Sequence, residues 1–267
     1  MNNIIEVNNL CYSVLLKKST GLSFEKIILD NISFALQKEK ILGIAGESGS
    51  GKTTLAKVLA QILQPTSGNF TLNVSDDWKN RKTNPVQILF QNTGEILNPL
   101  REINNIISEA IKIRFGNEEN ESIKLKILTS VNLQQILWER KGYELSGGEQ
   151  QRAALARILS VQPDILILDE PFSAQDPTSQ LNLLNLFKSI NKEYKITMIC
   201  ISHNLKILRS LCDEALVIYR GRIVEKGDVK NIFANPQHPY TKFLLRAEDY
   251  NLKHEEIQNE LEFLNNE

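Results

Sequence analysis

The sequence predicts an α/β protein built on a mostly parallel sheet, and three observations carry that prediction. Bare apolar runs of strand length, rich in Ile and Leu, recur at residues 41–45, 86–90, 165–168 and 196–201. Runs of that kind suit strands buried on both faces of a parallel sheet. Segments of helical spacing follow several of them, which is the alternation of an α/β fold. The third observation is that this alternation is interrupted twice, by alternating strands at the N-terminus and by an inserted block of helical pattern.

Taken in order, Ile5 and Val7, then Ile28, Ile32, Phe34 and Leu36, alternate with polar residues on either side of a polar interruption at 17–21, which predicts antiparallel strands joined by a loop. The run 41–45 ends in a Gly-rich turn, and Leu55, Val58, Leu59, Ile62 and Leu63 then fall at helical spacing across 53–63. A second alternating patch, Phe70, Leu72 and Val74, precedes a polar stretch and the strand 86–90, which stops at Gln91. From 102 to about 141 the pattern is helical, with Ile103, Ile106, Ile107, Ala110 and Ile111 on one segment and Ile123, Ile127, Leu128 and Val131 on the next. This predicts an inserted helical subdomain over about 92–152. The alternation resumes with a helix at 148–160, the strand 165–168, a helix near 180–191 and the strand 196–201. Residues 215–219 and 222–225, turned at Arg220 and Gly221, read as a terminal hairpin. Residues 246–267 form an acidic tail with Ile257, Leu261 and Leu264 on one stripe, predicting a solvated amphipathic helix.

The chain of 267 residues is 42% hydrophobic, enough for a packed core, and 31 basic against 32 acidic residues give no basic excess of the kind that marks nucleic-acid binding. No nucleic-acid partner is expected. The start has neither a basic nor an apolar leader region, and no stretch approaches the roughly 18 apolar residues of a membrane span, so a cytosolic chain is expected. Cys11, Cys200 and Cys212 lack metal-ligand spacing and read as reduced thiols.

The chemistry is concentrated in two places. Gly46-Glu47-Ser48-Gly49-Ser50-Gly51-Lys52-Thr53 lies between a predicted strand and a predicted helix. It fits the phosphate-binding pattern G-x-x-x-x-G-K-[ST]. The glycines let successive backbone N–H groups converge on a phosphate, and the helix N-terminus adds a favourable dipole. Lys52 would neutralise charge on the β- and γ-phosphates, Thr53 would ligate Mg²⁺, and Thr54 would support the α-phosphate. The strand 165–168 then delivers Asp169 and Glu170 to its C-terminal end, where ligands bind in open α/β sheets. Asp169 is placed to hold Mg²⁺ and Glu170 to activate a water. On the phosphate loop alone a small-molecule kinase, a GTPase or a motor remain possible.

Leu145-Ser146-Gly147-Gly148-Glu149-Gln150-Gln151-Arg152 resembles the signature sequence of ABC ATPases. Ser146 and the N–H groups of Gly147 and Gly148 open a helix and form a second anion site. The resemblance covers residues 1 to about 245. It implies a P-loop NTPase of the ABC ATPase type, with a RecA-like core, the N-terminal β-subdomain and the helical insertion in one domain. It further implies that ATP with Mg²⁺ is sandwiched in a head-to-tail dimer, between one subunit's phosphate loop and its partner's Ser146, Gly147, Gly148 and Glu149. Gln91 is similar to the Q-loop glutamine that contacts Mg²⁺ or water. Ser173-Ala174-Gln175-Asp176 resembles the loop that crosses the dimer interface, and His203 the switch histidine that holds the γ-phosphate. Three positions depart from the pattern. Glu149 stands where many members have Gln, and Gln175 replaces a usual Leu. Val14 occupies the place of the adenine-stacking aromatic, for which Tyr12, on the same strand face, is the substitute.

Residues 90–99, from Phe90 and Gln91 to Asn98 and Pro99, resemble the extended Q-loop of ATPases in oligopeptide, dipeptide and nickel importers, with Leu100 intervening before Arg101. Asn235-Pro236-Gln237-His238-Pro239-Tyr240-Thr241 is similar to the His-Pro-Tyr segment of the same proteins, and physically also reads as a Pro turn leading into a helix. No cysteine cluster follows it, so no Fe–S cluster is expected. The resemblance implies a motor on the cytoplasmic face of a bacterial inner membrane. Its expected partners are a homologous ATPase subunit in a heterodimer, two membrane permeases and, indirectly, an extracytoplasmic substrate-binding protein. Peptides or nickel and metal chelates are the expected cargo. The alternatives are an exporter or lipoprotein-release ATPase, and a soluble ABC ATPase outside transport.

Overall fold

The computed structural model describes residues 2–17, 21, 23–74, 78, 83–91, 97–116, 121–173 and 175–248. They group into two compact units, one of residues up to Asn73 together with those from Ile199 onward, the other Val74–Met198.

In the first unit, β1 (Asn3–Lys17) pairs antiparallel with β2 (Ser23–Gln37) and β4 (Ser67–Leu72), giving the order β2-β1-β4. The predicted alternation is visible in the burial of Ile5, Val7, Ile32, Phe34 and Leu36, with Ser33 and Ala35 exposed between the last three; it fails at Ile28, which is half-buried while Leu29 lies inside. β3 (Ile41–Ala45) is buried along its whole length and runs parallel to β8 (Glu214–Tyr219), which turns back into β9 (Arg222–Asp228). The last residues of β7 (Thr197–Ile201) belong to the same sheet beside β3, and the chain leaves them with Ser202 N–H donating to Ile44 O at 3.3 Å. Among the described residues of the unit there are also the helices α1 (Lys52–Leu59), α6 (Leu205–Leu211), α7 (Val229–Ala234) and α8 (Pro239–Glu248). The helix predicted over 53–63 ends early. Gln61 turns to φ 60° and the amides of Ile62 and Leu63 both fall back on Lys57 O, leaving Ile62 57% exposed.

In the second unit, β5 (Val86–Leu89) runs parallel to β6 (Ile165–Asp169), and β7 begins beside β6 with Thr197 N–H donating to Asp164 O. The predicted helical block consists of α2 (Ile103–Phe115) and α3 (Glu121–Ser130), both packed on α4 (Gly147–Ser160). Ile103, Ile107, Ile127 and Leu128 are buried there, as the 3.6-residue pattern requires. α5 (Pro177–Tyr194) begins two turns of chain after β6 and is anchored by an edge-to-face contact between Phe172 and Phe187, ring centroids 5.7 Å apart. Of the predicted acidic tail, only residues up to Glu248, the end of α8, belong to the described chain; Ile257, Leu261 and Leu264 lie outside it.

Candidate active site

The phosphate loop leaves β3 at Ala45 and enters α1 at Lys52, with Gly51 at the N-cap in the left-handed region, φ 107°. No acidic residue occupies the first turn of α1, so its dipole is left for an incoming anion. Two of the loop's glycines, Gly46 and Gly51, have a packing role besides the one legible in the sequence. A Cβ on Gly46 would stand 2.3 Å from Ile218 O, and one on Gly51 would stand 2.8 Å from both Ile28 O and a methyl of Leu29. The loop is therefore wedged between the end of β8 and the middle of β2. Gly221 N–H donates to Ser50 O at 3.1 Å, Asp30 N–H donates to Gly221 O at 2.9 Å, and Arg222 binds the Asp30 carboxylate at 2.6–2.7 Å.

Lys52 is 7% exposed and its ammonium donates to Gly46 O at 2.8 Å and Glu47 O at 2.7 Å. The Glu47 N–H donates to the hydroxyl of Tyr240, 193 positions later, at 2.8 Å. Thr53 and Thr54 begin α1 beside Lys52. Tyr12 is half-buried and lies opposite Leu29 in the β1–β2 ladder, the residue that abuts Gly51; Val14, also half-buried, is opposite Lys26. His203 sits exposed between β7 and α6, followed by Asn204, whose side chain caps α6 by accepting from Ile207 N–H at 3.1 Å.

The second unit carries the remaining predicted residues. Asp169 ends β6 and is 6% exposed. Glu170 follows at φ 50°, a backbone conformation unusual for a residue with a side chain and characteristic of functional turns. The turn is held by Ser173, whose hydroxyl and N–H both donate to Glu170 O, at 2.9 and 3.3 Å. Gln91 is exposed just past β5. Residues 92–96 of the predicted Q-loop and Ala174 of the interface loop lie outside the described residues.

Ser146 caps α4 in a reciprocal box: the Glu149 carboxylate accepts from Ser146 N–H and Oγ–H at 2.8 Å each, and Ser146 Oγ accepts from Glu149 N–H at 3.4 Å. The Glu149 carboxylate is thus engaged within its own helix turn. Ser146, Gly147 and Gly148 are exposed, and a Cβ on either glycine would meet nothing within 4 Å. Packing within the chain does not explain these glycines, which leave the helix N-terminus clear.

Gln151, Gln175 and Tyr240 stand in motifs legible in the sequence, but the contacts they make are not legible there. Gln151 is buried in α4 and donates to Pro171 O at 2.7 Å, next to Glu170. Gln175 donates to Gln151 Oε1 at 2.6 Å. Tyr240 reaches the phosphate loop as described. Each contact joins positions at least 20 residues apart, a separation that local periodicity cannot register. Arg152 donates to Val131 O at 2.9 Å, and burial pulls its pKa below the usual guanidinium value.

Comparison with known proteins decides the family. The ABC transporter family matches residues 29–173. The chain belongs to the ABC transporter ATPase family. Residues 224–262 of this ABC ATPase also match the C-terminal region of oligopeptide/dipeptide transporters, the part that contains His238, Pro239 and Tyr240. The dipeptide transport ATP-binding protein DppF of Haemophilus influenzae is 39% identical over 228 residues, covering 82% of this chain and 69% of its own. The Escherichia coli DppF is 37% identical over 227 residues, covering 82% and 68%. Among solved structures, cbiO1 from Clostridium perfringens, part of the ABC transporter complex cbiONQ, superposes with TM-score 0.73 at 24% identity, covering 94% of this chain and 98% of its own. The dimeric post-hydrolysis ATP-binding cassette MJ0796, bound to ADP and phosphate, gives 0.70 at 22%, covering 84% and 98%. The fold is that of the P-loop ABC ATPases, and the chain is an ATP-binding, ATP-hydrolysing subunit of that family. No helix among the described residues is long and apolar enough to cross a membrane.

Proposed function

We propose that this chain powers a peptide importer, pairing head to tail with a homologous ATPase subunit beneath two membrane permeases at the cytoplasmic face of the inner membrane. One observation carries the reading. Among the described residues two helix N-termini suit an anion, the phosphate loop at α1 and the exposed Ser146-Gly147-Gly148 turn at α4, where a Cβ on either glycine would meet nothing within 4 Å; this openness supports a ligand shared with another subunit. The match of residues 224–262 and the dipeptide-transport names of the relatives favour peptides as cargo.

In this reading the N–H groups of Gly46, Glu47, Ser48, Gly49, Ser50, Gly51, Lys52 and Thr53 surround the phosphates, with Thr54 at the α-phosphate and Tyr12 against the adenine. Thr53 offers a hydroxyl, Gln91 an amide oxygen and Asp169 a carboxylate, each an oxygen donor of the kind Mg²⁺ takes. The ion would supply charge neutralisation on the β- and γ-phosphates. Glu170 accepts a proton from the water that attacks the γ-phosphorus, and the bond to the β–γ bridging oxygen breaks, releasing ADP and phosphate. His203 holds the γ-phosphate oxygens as they move. ATP binding closes the dimer and hydrolysis reopens it.

The test is uptake by the whole complex reconstituted in liposomes. ATP-dependent accumulation of a labelled dipeptide, abolished by Lys52→Ala, is expected. Accumulation of Ni²⁺ with no peptide uptake, or movement of cargo only outward, would overturn the assignment.

A further inference from the structure

The geometry of the His-Pro-Tyr segment gives it a task. The Gly46–Glu47 peptide group is gripped at both ends. Its carbonyl, Gly46 O, accepts from the Lys52 ammonium at 2.8 Å, and its N–H, on Glu47, donates to Tyr240 Oη at 2.8 Å. A peptide is planar, so fixing the N–H direction fixes the carbonyl direction opposite. Tyr240 therefore sets where one of the two carbonyls holding Lys52 points.

The rest of the segment is organised to hold that hydroxyl in place. The Glu225 carboxylate accepts from the N–H groups of Gln237 and His238, at 2.9 and 3.1 Å. His238 Nδ1 accepts from Tyr240 N–H at 3.1 Å, serving as the N-terminal cap of α8, and Pro239 takes the first helical position, where its missing N–H costs nothing. The Tyr240 ring is 1% exposed and stacks on Tyr219 at 4.2 Å between centroids, with the planes 30° apart. Tyr219 ends β8, the strand whose Ile218 carbonyl bars any side chain at Gly46. Burial pushes the Tyr240 phenol well above its ordinary pKa, so the hydroxyl stays protonated.

We propose that Tyr240 is a positioning residue for nucleotide binding: through its hydroxyl it orients the Gly46–Glu47 peptide and hence Lys52. His, Pro and Tyr of the segment serve as cap, helix start and reach. The C-terminal region shared with oligopeptide transporters is then a brace for the phosphate loop in addition to whatever else it binds. This inference rests on the phosphate-loop reading of the proposed function.

The experiment measures ATP and ADP binding to the purified full chain, by calorimetry or fluorescent-analogue competition, together with kcat and KM. Tyr240→Phe keeps the ring and its stacking and removes only the hydroxyl. Loss of one such hydrogen bond, with a buried donor left unpaired, is expected to weaken binding about tenfold and raise KM in step, with kcat nearly unchanged. The exchange of the Glu47 amide with solvent should quicken in the same variant. A merely structural lesion would lower the active fraction and leave KM alone. His238→Ala, which spares the ring and hydroxyl, is the milder variant; it should shift KM in the same direction by less, and keeps the test open should Tyr240→Phe fold poorly. Unchanged ATP affinity and Glu47 exchange in Tyr240→Phe, alongside a Lys52→Ala chain that has lost ATP, would overturn the role of Tyr240 alone. Intact affinity in Lys52→Ala would instead overturn the phosphate-loop reading.

Discussion

Gln175 donates to Gln151 Oε1 at 2.6 Å, and Gln151 passes the connection on to Pro171 O at 2.7 Å. Gln175 is thereby tied to α4, and through it to the turn that follows Glu170. Gln180 adds two weaker bonds, to Phe172 O and Gln175 O at 3.3 Å each. Gln175, α4, the start of α5 and the turn after Glu170 share one polar network.

Breaking that network should affect turnover more than binding. Gln151 is buried, so Gln151→Leu strands Pro171 O and costs about 1–3 kcal/mol of stability, whereas Gln175→Leu removes one bond and costs about 1 kcal/mol. Both variants are expected to lower kcat several-fold with KM little changed. The double variant should cost less than the sum of the two, because both act on one network. Urea unfolding and steady-state phosphate release on the same preparations measure all of this.

At Glu149 the capping box predicts a mild outcome where sequence reading would suggest a functional one. Glu149→Gln preserves an oxygen acceptor for the Ser146 N–H and restores the residue many relatives carry, so stability should change by no more than about 0.5 kcal/mol. Glu149→Ala removes the acceptor and is expected to cost about 1 kcal/mol. Thermal unfolding of the two variants side by side distinguishes a cap from a phosphate ligand, since a ligand would change nucleotide affinity instead.

Asp176 gives the account a pH dependence. It caps α5, accepting from Thr178 and Ser179 N–H at 3.0 Å each, and hydrogen bonding, first from the Ser179 side chain and then from its backbone, holds its carboxyl below the usual range. A folded-state pKa depressed below the unfolded value, about 3.9, means the stabilisation is complete above that value and is lost as pH falls through the folded one. Stability curves of the native chain and Asp176→Asn should therefore run parallel at neutral pH. Below about pH 4 the native chain should lose stability faster. Curves parallel throughout would refute the cap.

Much of this was legible in the sequence because the relevant chemistry is local. The phosphate loop, Asp169 and Glu170, and the Ser146 turn are each contiguous, and bare apolar runs announced β3, β5, β6 and β7. Where side chains act across the fold, the sequence was silent: Tyr240 to Glu47, Arg222 to Asp30, and Gln151 to Pro171 are set by tertiary packing. Two short helices also went unread. α6 and α7 have seven and six residues, too few for periodicity, although the caps Asn204 and Asp228 that begin them were there to be noticed. The overlong expectation for α1 has the same origin: Ile62 and Leu63 kept helical spacing beyond the point where Gln61 turns the backbone.

The most direct test of the central claim is single-turnover and steady-state phosphate release by the complex carrying Glu170→Gln. A general base of this kind contributes about 10²–10⁴ in rate. The variant should bind ATP as the native chain does, retain it unhydrolysed in a closed dimer, and release phosphate at least about a hundredfold more slowly. Turnover within a few-fold of the native chain would contradict the assignment of Glu170 and with it the catalytic turn built around it.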